Sequence, residues 1–216
     1  MGHTMGSTLD ASATVPRGHV ALFYEQDRFL GECIASYARQ GLAEDRDVLV
    51  VATAPHRRAV EEWLDRSPRE AGTDARLTTL DARDTLESLL VDGVVDADRL
   101  YDRIAPWLAA ANRSGRTPRI YGEMVALLWR DGHFEPALEL EALWNRLGEA
   151  FPFSLLCGYP LRYFSDQNSA ASFLGVCQQH TAVTMESYAR LRGDHDDAIP
   201  MVVLHGGSPG GRIDLN

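Results

Sequence analysis

The chain has 216 residues and a mass of 23.9 kDa, which fits one α/β domain. Its 21 Lys+Arg residues are all arginine, so chemistry that needs a lysine, such as a Schiff base or a P-loop phosphate contact, is excluded. The net charge of −10 disfavours direct binding to nucleic acid or to an anionic membrane surface.

The cysteines and the chain ends indicate a cytoplasmic protein. Cys33, Cys157 and Cys177 are far apart and no CxxC pair occurs, which is typical of reduced thiols. The first residues lack the apolar core of a signal peptide, and no apolar run reaches the roughly 20 residues that span a bilayer. We expect a disordered segment over 1–17, one folded domain over 18–193 and a flexible Gly-rich tail over 194–216.

Short apolar runs and amphipathic stretches alternate along the folded region. Strands are predicted at 19–24, 47–53, 76–80, 119–122 and 153–158. Helices are predicted at 27–41, 55–64, 85–90, 98–111, 135–150 and 170–192. A further short helix is predicted after Glu123 and ends at 129. This alternation predicts an α/β fold with a parallel three-layer sheet that has helices on both faces.

The residues that follow the predicted strands suggest where a ligand binds. In open parallel sheets, ligands bind beyond the carboxyl ends of the strands. The side chains there are mostly aromatic or acidic, as in a pocket for a small organic molecule with one or two polar groups. The candidate ligand-binding residues at these ends are Tyr24, Glu25, Thr53, Asp81, Glu123 and Tyr159.

The turn after the first strand argues against a nucleotide. It contains no glycine to form a phosphate cradle, and it carries the carboxylates of Glu25 and Asp27. The P-loop pattern GxxxxGK[ST] and the GxSxG elbow are both absent. These absences argue against phosphoryl transfer and against Ser-His-Asp catalysis, and we predict no cofactor and no catalytic residues.

Several of these positions also have a structural interpretation. Glu123 could stabilise the start of the following helix, and Asp81 could cap the next one. Cys157 is interpreted as an inert buried thiol. A metal site would have to combine His19, Cys157, His180 and Glu123 from distant positions; no local ligand spacing supports it, so none is predicted.

Three segments resemble a known family. They are HVALFYEQDRFLGECIASYARQGLAEDRDVLVVAT at 19–53, RIYGEMVALLWRDGHFEPALELEALWNRLGEAFPFSLLCGYP at 119–160 and, more weakly, VCQQHTAV at 176–183. They resemble the MEDS family, the methanogen/methylotroph, DcmR-type sensory domain. The resemblance implies a degenerate RecA/KaiC-like core without a Walker A loop, and it implies His180 as a further ligand-contacting residue. Many members have a cysteine where this chain has Ala21.

The resemblance also implies a sensory or regulatory input domain rather than a catalyst. We expect an unidentified small organic ligand and a regulatory protein partner, such as a kinase, an anti-sigma factor or a transcription factor. A homodimer fits equally, whereas direct nucleic-acid and membrane contacts do not. One alternative is a protein-interaction module with a vestigial nucleotide site. A metal- or nucleotide-dependent hydrolase is a further alternative.

Overall fold

Seven strands form the central sheet of the computed structural model, which describes residues 18–66, 74–164, 169–186 and 202–203. The strands of the structure are β1 (His19–Tyr24), β2 (Val48–Ala52), β3 (Leu77–Asp81), β4 (Leu90–Val91), β5 (Val94–Val95), β6 (Arg119–Gly122), β7 (Ser154–Pro160), β8 (Ala182–Met185) and β9 (Val202–Val203). In the sheet they lie in the order β3-β2-β6-β7-β1-β8-β9, and β4 pairs with β5 in a separate small hairpin. The first six strands of this order are parallel, and β9 is antiparallel to β8.

Helices cover both faces of the sheet. They are α1 (Asp27–Ala43), α2 (Ala54–Asp65), α3 (Ala82–Leu89), α4 (Ala97–Ala111), α5 (Met124–Arg130), α6 (Phe134–Ala150) and α7 (Ser169–Gln179). Buried side chains of α1 and α2 pack on one face, and those of α3 to α7 pack on the other. The predicted three-layer α/β fold is therefore confirmed. In the described part of the chain, no helix is both long and apolar enough to cross a membrane.

The pattern of β1 explains its central place in the sheet. All six of its residues are buried. Val20 and Leu22 contribute to the core beneath α1 and α2, whereas Ala21 and Phe23 contribute to the core beneath α6 and α7. A strand that is apolar on both faces is typical of a parallel sheet between two helical layers.

The predicted helix over 170–192 is confirmed in its first part by α7, but its predicted extent is wrong. Helix α7 ends at Gln179, and β8 then joins the sheet beside β1. The Thr181 hydroxyl donates to the His19 carbonyl oxygen at 2.9 Å, and the Thr181 backbone N–H donates to the same oxygen at 2.7 Å. These bonds direct the short β-branched run after Thr181 into the sheet instead of extending the helix.

The structure also bears on the start of α3 and on the two ends of the chain. Helix α3 begins at Ala82, earlier than predicted, because the Asp81 side chain accepts hydrogen bonds from the backbone N–H groups of Arg83 and Asp84. Residues 1–17 lie outside the described residues. Of the predicted tail over 194–216, the structure describes Val202–Val203, which pair with β8.

Candidate functional site

A cleft of about 180 Å³ opens at the carboxyl edge of the sheet. The chain leaves β2 towards α2 on one face and leaves the neighbouring β6 towards α5 on the other, so the two connections diverge here. Such divergence is where open α/β sheets form their ligand crevice. Side chains from four strand ends line it, among them Tyr24, Thr53, His56, Glu123, Arg130 and Tyr163.

Glu123 is the hydrogen-bonding centre of the cleft. Its residue is only 5% exposed. One carboxylate oxygen accepts a hydrogen bond from the Thr53 backbone N–H at 2.8 Å. The other oxygen lies 2.9 Å from His56 Nδ1 and 3.3 Å from the Thr53 hydroxyl. The carboxylate makes no capping bond to its own helix and lies instead at the start of the neighbouring helix α2.

The protonation of the cleft is set by burial and by Glu123. Burial alone lowers the pKa of His56, but the hydrogen bond and the negative charge of Glu123 outweigh it, and the net pKa of His56 is raised. Burial, with the charge of Glu123, raises the pKa of Tyr24 far above its usual range. The cleft therefore combines a hydrogen-bonded imidazole and carboxylate with a neutral phenol that can donate a hydrogen bond.

Two arginines that the strand ends did not indicate, Arg130 and Arg162, also line the cleft. Arg130 makes a bidentate pair with Asp131 at 2.7 and 2.8 Å. Arg162 lies 3.9 Å from the Asp27 carboxylate, and its guanidinium is 5.0 Å from the centre of the Tyr163 ring. The cleft thus carries both signs of charge, whereas the strand-end residues alone indicated an acidic and aromatic site.

The structure brings together some of the residues predicted to bind ligand. Tyr24, Thr53 and Glu123 line the same cleft. Glu25 is exposed, and its backbone N–H donates to a Glu186 carboxylate oxygen at 2.7 Å. Asp81 does not line the cleft.

The roles of the remaining predicted and missed positions also follow from their contacts. Asp81 caps α3 and accepts a hydrogen bond from Arg57 at 2.7 Å. The strand-end rule could have found His56, which follows β2 by four residues. It could not find Arg130, which lies at the far end of α5. Tyr163 was missed because the strand was predicted to end at 158, whereas β7 extends to Pro160.

Tyr159 and His180 lie in a second, buried cluster beneath α6 and α7. The Tyr159 hydroxyl donates a hydrogen bond to the Glu141 carboxylate. The same carboxylate lies 2.9 Å from His19 Nε2, and the His19 and His180 rings are 4.0 Å apart between centres. Neither Tyr159 nor His180 lines the cleft.

This cluster also contains Cys157, whose Sγ lies 3.3 Å from His19 Nε2. The structure therefore joins His19, Cys157 and His180 with Glu141, whereas Glu123 lies in the cleft. Glu141 was missed, although it interrupts an apolar stripe of α6 between Leu140 and Trp144. A charge on the buried side of an amphipathic helix is the signal that could have found it.

Burial and neighbouring charge oppose each other in this cluster. Burial raises the pKa of Glu141, but the charges of His19 and His180 and the hydrogen bonds of His19 and Tyr159 lower it, to about 2 overall. Burial and the charge of His19 lower the pKa of His180 to about 3. Glu141 is therefore ionised and the His180 imidazole is neutral at physiological pH.

Comparison with known proteins agrees with this architecture. The family model of MEDS, the MEthanogen/methylotroph, DcmR Sensory domain, matches residues 18–176. This range contains β1 to β7 and every residue of the cleft, and it ends four residues before His180. No curated protein matches the chain. Since the match covers well over half of the chain, the chain belongs to the MEDS family of sensory domains.

Proposed function

We propose that this domain senses a small polar organic molecule bound in the cleft between the carboxyl ends of β2 and β6. The observation that carries the proposal is the network of Glu123, Thr53 and His56, which turns three polar side chains from two strand ends towards one cleft. Its sensory role follows from the family, and the cleft supplies the place of binding.

The size and lining of the cleft define the class of ligand. A volume of about 180 Å³ is below the roughly 300–1,000 Å³ of pockets for drug-sized molecules. The rings of Tyr24 and Tyr163 offer apolar contact, while His56 and Glu123 offer a donor and an acceptor. This combination suits a molecule of a few non-hydrogen atoms with one polar group.

A bound ligand affects the starts of the two helices that meet at the cleft, α2 and α5. Thr53 and His56 belong to the start of α2, and Glu123 precedes α5. A ligand that competes for the Glu123 carboxylate favours one arrangement of these two helix starts, and differential affinity shifts the population towards it. The partner that reads this change is a regulatory protein, such as a kinase, an anti-sigma factor or a transcription factor. In this proposal the domain is a sensor and not a catalyst.

A thermal-shift experiment tests the proposal. The probes are methanol, acetate, acetamide and 2-chloroethanol, which represent an alcohol, an anion, an amide and a halogenated molecule. We expect at least one probe to raise the Tm of the wild-type protein in a saturable way. Glu123→Gln and Tyr24→Phe are expected to weaken that response.

Matched controls use the same substitutions at exposed sites. Glu32→Gln and Tyr101→Phe change side chains that are exposed and do not line the cleft. They are expected to respond as the wild type does. A wild-type protein that no probe stabilises, or cleft variants that respond like the controls, would overturn the assignment.

A further inference from the structure

We propose that His19, Glu141, Cys157 and His180 form a binding site for one divalent transition-metal ion, with Zn²⁺ as the best fit. Each residue offers one ligand atom, and the four atoms lie within 4.8 Å of one another. All four residues are buried, and Glu141 and Cys157 are fully so. The site lies on the opposite face of the sheet from α1 and α2 and is separate from the cleft.

The distances between the ligand atoms approach those of a tetrahedral site. Zinc bonds of about 2.0–2.3 Å place neighbouring ligand atoms about 3.3–3.6 Å apart. Here Cys157 Sγ lies 3.3 Å from His19 Nε2 and 3.7 Å from a Glu141 oxygen. The other Glu141 oxygen lies 3.6 Å from His180 Nε2. Small side-chain movements would bring all four ligand atoms within bonding distance of one ion.

The hydrogen bonds of the two histidines orient their Nε2 atoms towards the site. His180 Nδ1 lies 2.6 Å from the Val176 carbonyl oxygen, which only accepts, so Nδ1 carries the proton and Nε2 holds a lone pair. His19 Nδ1 lies 2.9 Å from Asn145 Oδ1. The Asn145 amide donates to the Gln179 carbonyl oxygen at 3.0 Å, which fixes its own oxygen towards His19.

His180 shows most directly that a partner is required. Its side chain is fully buried, and within the part of the chain that the structure describes its Nε2 has no hydrogen-bond partner. A buried nitrogen without a partner is costly, and native proteins rarely keep one. Since this lone pair faces a carboxylate, a cation between the two groups satisfies both.

The groups around the four residues match the surroundings of known metal sites. Metal-binding histidines usually donate their other ring N–H to a carbonyl or carboxylate oxygen, and metal-binding carboxylates are themselves hydrogen-bonded. The Val176 carbonyl oxygen accepts from His180, and the Asn145 side-chain oxygen accepts from His19. The Tyr159 hydroxyl donates a hydrogen bond to Glu141. A network of this kind holds the ligand atoms in place before an ion binds.

Charge and ligand type favour zinc. The Glu141 carboxylate and a Cys157 thiolate together neutralise a divalent ion, which removes the penalty of burying an isolated charge. Thiolate and imidazole ligands are typical of zinc. Because four protein side chains complete the coordination, the ion would join β1, α6, β7 and the end of α7 as a structural centre and leave no position for catalysis.

Metal binding is tested on the full chain, purified without an affinity tag and stripped with a chelator. Equilibrium dialysis against Zn²⁺ followed by elemental analysis is expected to give one ion per chain and a higher Tm. Substitution by Co²⁺ is expected to give a thiolate-to-cobalt charge-transfer band and visible bands typical of four-coordinate cobalt. A stripped wild-type chain that is folded by circular dichroism and binds no ion overturns the proposal.

The variants locate the ion. Cys157→Ser is expected to remove the charge-transfer band, and Glu141→Gln to weaken binding at least tenfold. The matched controls are Cys33→Ser, a buried cysteine in the other core, and Glu139→Gln, an exposed residue of α6. If Cys157→Ser keeps the band, or Cys33→Ser loses it, the assignment is wrong. Wild-type dialysis decides the question even if a cluster variant fails to fold.

Discussion

The Glu123 carboxylate accepts a hydrogen bond from the Thr53 backbone N–H at 2.8 Å, although the two residues are 70 positions apart in the chain. The bond joins the ends of β2 and β6, from which the chain departs to opposite faces of the sheet. His56 lies against the same carboxylate. One side chain therefore holds together the two walls of the cleft, and its removal affects stability as well as binding.

We expect Glu123→Ala to lower the free energy of unfolding by about 1–3 kcal/mol, because it leaves a partly buried N–H and a partly buried imidazole without their acceptor. Urea denaturation followed by circular dichroism measures the change. The exposed control Glu32→Ala is expected to stay within about 0.5 kcal/mol of the wild type. Equal losses in the two variants would contradict the role of Glu123.

The pair of His56 and Glu123 predicts a dependence of stability on pH. The pKa of His56 in the folded chain is raised above its ordinary value of 6.5. A raised pKa means that the pair stabilises the fold fully below pH 6.5, and that this stabilisation is lost as the pH rises through the pKa of the folded state. The free energy of unfolding of His56→Gln should therefore fall furthest below that of the wild type in mildly acidic solution.

The measurement for His56 is a series of urea denaturations across the neutral range. The control His133→Gln changes an exposed histidine, and its difference from the wild type is expected to show no such trend. A His56→Gln deficit that stays constant, or that grows as the pH rises, would show that the sign of the argument is wrong.

Arg119 is an arginine that lysine could not replace, because its guanidinium makes several hydrogen bonds at once. This residue is 2% exposed, and its guanidinium donates to the Tyr37 carbonyl oxygen, to Gln40 and to both oxygens of Glu44. A lysine ammonium cannot make the same planar, bidentate set of hydrogen bonds. Arg119→Lys is expected to cost about 1–3 kcal/mol in urea denaturation. Exposed Arg28→Lys serves as the control, and an equally small cost at both sites would contradict the prediction.

Gly158 and Tyr121 are coupled by close approach. A Cβ on Gly158 would lie 2.6 Å from the Tyr121 hydroxyl oxygen, which is buried and, among the described residues, has no hydrogen-bond partner. Gly158→Ala is expected to cost about 1–3 kcal/mol through overpacking. Tyr121→Phe should be neutral or stabilising, because it removes an unsatisfied hydroxyl.

A double-mutant cycle separates this coupling from general disruption. Adding Tyr121→Phe to Gly158→Ala is expected to restore part of the lost stability, with a coupling energy of about 0.5–3 kcal/mol. Additive effects in the cycle would show that the hydroxyl is not what the new methyl group meets.

Much of the fold could be predicted from the sequence, because the strands are apolar on both faces and the helices are amphipathic. Strand β8 could not, since AVTM follows an apolar helix without a strong stop signal. It is the contact of Thr181 with His19 that ends the helix, and a contact across 162 positions leaves no local pattern.

The strand-end rule predicted Tyr24, Thr53 and Glu123, because Tyr24 ends β1 and the other two residues directly follow β2 and β6. It failed for Tyr159 because alternation along β7 turns this side chain to the other face, beside Cys157 and Glu141. The four residues of the buried cluster come from elements that are far apart in the sequence. Their spacing along the chain therefore could not predict that they lie together.

The most direct test of the cleft is an NMR titration of the labelled chain with methanol, acetate, acetamide and 2-chloroethanol, repeated in Glu123→Gln. The account predicts saturable shifts for the amides of Thr53, Ala54 and His56 and of residues 123–126 with at least one probe, and weaker binding of that probe in the variant. The amides of α6 should stay unchanged. Shifts that are absent from these segments, or that are identical in Glu123→Gln, would contradict the claim that the domain senses its ligand there.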